Sequence, residues 1–582
     1  MPAQPRRILP RLAALAVMAL LVIAVLGTTR ATVEPDARQP VDERLPAFPL
    51  ERLEPGLRGF GLTAGPGNAV ERFSVTVLAL QEAYGPGGLP LVLVETGGPL
   101  IEAAGGVAAG MSGSPVYLDL DGERALLGAI GYVFPDADGA LALVTPIEAM
   151  RDQTAIGATA IRLPPGARPV ATPVLVAGLG ERALALLDET VLRAAPVRLE
   201  PLRGGGAGSA PAPAADLHAA EGRGTEATEA TEATEAPPQA GSAAAIQLIR
   251  GDVMVAAIGT VTEVTGGEVL ALGHPFLGTG PASWALAPAE VTAIVPGRRV
   301  PFKLANVAPG RWGTVVADWP AGVAARLDHP PASIPVTLSL TAEGRSEVLR
   351  FDVAAHEALW PALVAVATLE GLDRTWRRVA SGSASLAWEL ELEGGPPLRL
   401  VEDVSSERDV ALAAARMAAA PLALLAQNAF EAPRPLGLQV VIEVDERRRD
   451  GELVEALLEA GPVQAGSSVG LLLRLQPWRA QGEVHTITVT LPETLDPEPE
   501  LVVRGAAVPR DDEHEGGVDT LVLSYAELLT ILRERPRSGD LVVEVRGADG
   551  RWELLERRSF PYLVRGLVRV PLPMAEADDD DE

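Results

Sequence analysis

The sequence predicts a mainly β protein, built from small barrels or sandwiches and divided by one low-complexity stretch. Two patterns carry this. Short alternating apolar runs recur at 73–80, 89–94, 126–134 and 140–144, punctuated by Gly and Pro at roughly ten-residue spacing. From 204 to 242 the composition then collapses to Gly, Ala, Pro, Ser and a repeated Thr-Glu-Ala, from which no core can form. With 582 residues, 47% of them hydrophobic, the chain can bury several cores around that linker.

Taken in order, residues 1–31 read as a signal peptide or anchor. Arg6, Arg7 and Arg11 precede a wholly apolar run at 12–26, the length of a signal-peptide core. Small residues at 24–27 offer a cleavage site; if the run is retained, it attaches the chain to a membrane. Either outcome places the protein outside the cytoplasm, in the periplasm or cell envelope. Residues 32–50 form a Pro- and charge-rich tether, and 51–165 a first set of short strands. The glycine-spaced turn at 56–62 is no phosphate loop, because no Gly-Lys-Ser/Thr follows it. A strand at 173–177 and a short helix at 181–187 make a connector, 166–203, expected to pack on the first strand set.

Beyond the linker, 243–330 is a second strand set. An α+β region, 331–460, follows, with strands at 334–340, 348–353, 385–392 and 438–444 and helices at 355–369 and 407–426. A small sandwich-like region fills 461–575 and includes a helix at 525–533 capped by Ser524. Residues 576–582 are an acidic tail.

Composition removes several functions. With 49 basic against 77 acidic residues, the net charge of −28 argues against a nucleic-acid partner, which needs clustered Lys and Arg. The absence of cysteine excludes disulfides, thiolate metal sites and a cysteine nucleophile. Asp119 and Asp121 fit a solvated hairpin turn, and Asp511, Asp512, Glu513, His514 and Glu515 a solvated loop. No metal or cofactor is expected.

One stretch points to chemistry: Gly110-Met111-Ser112-Gly113-Ser114-Pro115. Small residues flanking Ser112 permit a sharp bend, and the amides of Gly110 and Ser112 could converge as an oxyanion hole. Ser112 is the preferred nucleophile over Ser114, since Pro115 has no amide to offer. Of six histidines, only His274 stands at a strand end between a glycine and a proline, where an imidazole can be held at a cleft. No second histidine or carboxylate stands at ligand spacing from it.

The turn resembles that of chymotrypsin-like serine peptidases, and with its flanks it is similar to the SpoIVB peptidase family. The matching blocks are Glu71 to Val75, Gly105-Gly106-Val107 leading into the serine turn, Leu127 to Ile130, and Thr145 to Glu148. A second segment, Ala257 to Val261 through Ala271-Leu272-Gly273-His274, resembles that family's histidine block. The resemblance implies a chymotrypsin-like two-barrel module in which Ser112 attacks a peptide carbonyl and His274 acts as base. It implies a protein or peptide substrate, with no cofactor. The halves occur in reversed order, serine before histidine. Gly97 occupies the position of the family's aspartate, which leaves Asp318 and, behind it, Asp252 as candidate acids; a dyad oriented by a backbone carbonyl is the other solution. The alternative function is a catalytically inactive, peptidase-like envelope scaffold or binding protein.

Overall fold

A computed structural model describes residues 44–137, 139–152, 161–203, 236–297, 300–510 and 524–575. The predicted signal segment, most of the linker with His218, the loop around His514 and the acidic tail therefore lie outside the described residues. The fold is mainly β, 50% strand and 16% helix, with two closed six-stranded barrels.

The serine-bearing barrel consists of β1 (Arg58–Ala64), β2 (Val70–Gln81), β3 (Leu91–Gly97), β4 (Pro115–Leu120), β5 (Glu123–Val133) and β6 (Leu141–Pro146). Their order is β4-β1-β2-β3-β6-β5, and pairing of β4 with β5 closes the ring. Period-two patterning decides the inside: Phe73, Val75 and Val77 of β2 join the core, while Arg72 and Ser74 are exposed.

In the connector, β7 (Arg168–Pro169) extends the first barrel, but β8 (Thr172–Ala177) pairs antiparallel with a strand of the second barrel and parallel with β9 (Leu199–Arg203). The expected packing of the connector on the first barrel alone is thus corrected: it belongs to both. The reason is visible in β8, whose residues 172–176 are all buried and need cover on two faces.

The second barrel comprises β10 (Ala243–Gly251), β11 (Met254–Thr265), β12 (Glu268–Ala271), β13 (Gly280–Val295), β14 (Phe302–Val307), β15 (Gly313–Trp319) and β16 (Gly322–Leu327). The ring is β10-β13-β15-β16-β12-β11, closed by β10 on β11, and β14 adds to β13 outside it. β10 is buried on both faces. Ala244, Ile246 and Leu248 join the large core, while Ala243 and Ala245 cluster with Ala64 of the serine barrel. That explains its continuous apolar run.

The α+β region is not a separate sheet. β18 (Arg345–Ala354) pairs with β10, and β17 (Ser333–Ala342), β21 (Pro435–Asp445), β19 (Gly382–Leu392) and β20 (Leu398–Ser406) continue the same sheet outward. Helices Trp360–Trp376 and Val410–Ala426 pack on it. The first lies several residues later than 355–369, because Pro361 suits a first helical turn and 355–359 form a turn around His356. The C-terminal region is a sandwich of two four-stranded sheets around one core. It begins at β22 (Asp450–Leu458), before the expected boundary at 461, and Ser524 caps its helix through a bond from the Glu527 amide.

Candidate active site at the barrel seam

The serine turn, 110–114, leaves its own barrel and lies against β11 of the other. Gly113 adopts φ +91°, and a Cβ there would stand 2.0 Å from the Thr260 carbonyl oxygen and 2.5 Å from the Leu272 amide. Only glycine allows that approach. Four bonds lock the turn. The Thr260 amide donates to the Ser112 carbonyl at 2.9 Å, and the Thr260 hydroxyl to the Gly110 carbonyl at 2.8 Å. The Thr262 hydroxyl donates to the Gly113 carbonyl at 2.7 Å, and the Gly113 amide to the Ile130 carbonyl at 2.9 Å. From the other side, the Thr145 hydroxyl donates to the Gly273 carbonyl at 2.6 Å, beside His274. The turn and the histidine strand end meet across the seam, where the Gly113 and Leu272 backbones are in contact.

Ser112, Ser114, His274 and Asp318 are all fully buried. Among the described residues, Ser112 Oγ, Ser114 Oγ and His274 Nε2 have no hydrogen-bond partner, so no bond joins serine to histidine. His274 Nδ1 faces the Pro275 carbonyl oxygen at 2.7 Å. A carbonyl can only accept, so Nδ1 carries the proton and the neutral ring keeps its lone pair on Nε2. Burial holds the imidazole down, to about 4, against the backbone of Pro275 and Val170, which pull it up. The ring is therefore neutral at physiological pH.

Asp318 does not orient this ring. Its Oδ1 accepts from the Phe276 amide at 2.7 Å, and its Oδ2 from Leu277 and Gly278 at 2.7 Å and Thr279 at 3.4 Å. It anchors the loop that follows His274. Burial pushes its carboxyl up, and the four amides pull it back. Asp252 is likewise engaged elsewhere, accepting from the Arg350 amide at 2.7 Å. The Gly110 amide donates to the Ala171 carbonyl at 3.3 Å, so in this arrangement it does not point at a free oxyanion position.

The sequence reading missed Lys303. Its Nζ donates to Thr63 Oγ1 at 2.7 Å and Thr260 Oγ1 at 3.1 Å, fully buried behind the serine turn. A signal existed: of the 49 basic residues, 48 are arginine and Lys303 is the one lysine. Beside the turn lies a cavity of about 330 Å³, whose lining includes Val107, Ala109, Pro169, Val170, Ala171 and Pro301. Among the described residues there is no group of His, Asp and Glu fit to hold a metal ion, and no helix long and apolar enough to cross a membrane.

No family model, curated protein or solved structure matches this chain.

Proposed function

We propose that the two-barrel module is an exported serine endopeptidase of the SpoIVB type, acting through a Ser112–His274 dyad on protein or peptide substrates. The observation that carries this is the tautomer of His274. With Nδ1–H held by the Pro275 carbonyl, the Nε2 lone pair is unpartnered in the same seam as the unpartnered Ser112 hydroxyl. Buried polar atoms are nearly always paired, so an unpaired one calls for an explanation, and a catalytic role is one. The Pro275 carbonyl takes the orienting part that a carboxylate plays in a triad.

In the reaction, Ser112 Oγ attacks the scissile carbonyl while its proton passes to Nε2. That proton then goes to the leaving amine; water, deprotonated in turn at Nε2, attacks the acyl carbon, the Oγ–C bond breaks, and the Nε2 proton returns to Ser112 Oγ. The Ser112 amide serves the oxyanion, joined by that of Gly110 once its long bond to Ala171 yields. The cavity between 105–109 and 168–171, lined by apolar residues together with Arg168 and Arg198, is the entry for substrate, and its opening exposes the buried pair. Arg6, Arg7 and Arg11 ahead of the apolar run 12–26 support export, and with it a place in the periplasm or envelope.

Full burial of both side chains favours a second reading, a catalytically inactive envelope scaffold on the same fold. A serine-directed phosphonate probe separates the two. The peptidase assignment expects wild-type labelling that Ser112→Ala abolishes, Ser114→Ala weakens less, and His274→Ala lowers strongly. Absence of wild-type labelling by the folded protein overturns it and leaves the scaffold.

A further inference from the structure

An arginine-rich chain keeps a single lysine, and it sits where the two barrels meet behind the serine turn. The bonding of Thr260 fixes the direction of its bond to Lys303. The Thr260 hydroxyl hydrogen is committed to the Gly110 carbonyl, so the Thr260 oxygen must accept from Lys303 Nζ. The result is a directed relay, Nζ–H to Thr260 Oγ1–H to the Gly110 carbonyl. A second N–H reaches Thr63 on β1 of the opposite barrel. The backbone repeats the connection: the Lys303 amide donates to the Ala109 carbonyl at 2.9 Å, and the Ala109 amide to the Pro301 carbonyl at 2.7 Å. The Lys303 stem lies 3.3 Å from where a Cβ on Gly110 would be.

We propose that Lys303 is the positioning residue of the Ser112 turn, tying Thr63 of one barrel to Thr260 of the other and so fixing the Gly110 carbonyl behind the nucleophile. The inference deepens the peptidase assignment, because what it positions is the proposed nucleophile and its oxyanion amides.

The chemistry explains why this cation is not an arginine. A neutral amine has two N–H donors, matched by the two threonine oxygens, whereas an ammonium brings a third donor and a buried charge. A guanidinium stays charged at any working pH and carries five donors. The charged groups on the packed strands do not offset that charge: Arg58 on β1 and Glu290 on β13 are exposed, and Glu263 on β11 is bound to Arg151. Burial alone acts on Lys303, and it holds the amine down, to about 7. The clasp is therefore in its matched, neutral form above neutrality and strained below it.

A single lysine makes the test direct. With lysine carrying ¹³C at Cε, the full-length protein gives one side-chain resonance, and we expect it to titrate near 7 and to move still further from the ordinary lysine value in Thr63→Val,Thr260→Val, which removes two acceptors and leaves the burial. Deuterium uptake of the 108–114 segment should rise several-fold as pH falls through that midpoint, after correction for intrinsic exchange and global stability. In Lys303→Met that pH step should vanish, and in Lys303→Arg uptake should stay at the low-pH level. If Lys303→Met does not fold, Thr63→Val must still raise uptake of the same segment. A lysine titrating near 10, or turn protection unchanged in the variants, overturns the proposal. Because neither readout needs catalysis, a protein that never labels with phosphonate but shows the pH step would refute the peptidase assignment and leave the positioning role standing.

Discussion

The Thr260 hydroxyl donates to the Gly110 carbonyl at 2.8 Å while the amide of the same residue donates to the Ser112 carbonyl at 2.9 Å. Two residues along, Thr262 repeats the side-chain bond at Gly113. Residues i and i+2 of a strand share a face, so β11 presents two hydroxyls at the spacing the turn requires. One barrel is thus the template on which the other barrel's serine turn is shaped.

Each threonine can be tested. Thr260→Val and Thr262→Val keep the shape but leave a buried carbonyl unpaired. We expect each to cost about 1–3 kcal/mol in urea unfolding, with Thr→Ser at the same positions recovering most of the loss. Equal stability of valine and serine variants would mean the hydroxyl bonds contribute nothing net.

Gly113 and Gly122 have nearly the same φ, +91° and +90°, but a Cβ at Gly113 meets the Thr260 carbonyl while one at Gly122 meets open space. Gly122→Ala should therefore cost only the left-handed strain, about 1–2 kcal/mol. Gly113→Ala adds a clash between backbones of two barrels, and we expect a loss at least about 2 kcal/mol larger. Thermal unfolding of the pair measures the difference, which isolates the close approach from the strain.

What the sequence made legible follows from which forces are local. Alternation in β2, the Ser524 cap and the breadth of the β-rich regions are written in neighbouring residues, and they appear as expected. The seam is not local. Thr63 and Lys303 are 240 positions apart, and nothing in their own neighbourhoods marks them as partners. Asp318 illustrates the same limit: sequence placed a carboxylate in the histidine half, but only the fold shows four amides wrapped around it instead of an imidazole. The carbonyl-oriented form of His274 was an alternative open from sequence, and the Pro275 bond has that geometry.

Asp318 should then behave as an anchor and not as a triad acid. Asp318→Ala leaves amides of residues 276–279 without their acceptor and should destabilise the protein by about 3 kcal/mol or more. Asp318→Asn keeps one acceptor oxygen and should cost less. Neither variant should move the pH midpoint of phosphonate labelling at Ser112 in whatever protein remains folded. A displaced midpoint would return Asp318 to direct contact with the imidazole.

His274 supplies a pH dependence whose sign is fixed by its burial. Its folded value, about 4, lies below the ordinary 6.5. Above 6.5 the ring is neutral in both states and makes no difference. Between 6.5 and about 4 the unfolded chain takes up a proton that the folded protein does not, so stability falls with falling pH, by at most about 1.4 kcal/mol per pH unit. Below about 4 both states are protonated and this contribution stops changing. His356, also held down by burial, adds a slope of the same sign, so the measurement is a difference between proteins. Urea midpoints between pH 4 and 7 should fall more steeply for wild type than for His274→Asn, which carries no titrating ring. Parallel curves would mean that folding leaves His274 at its ordinary value, so that burial does not hold the ring neutral below 6.5.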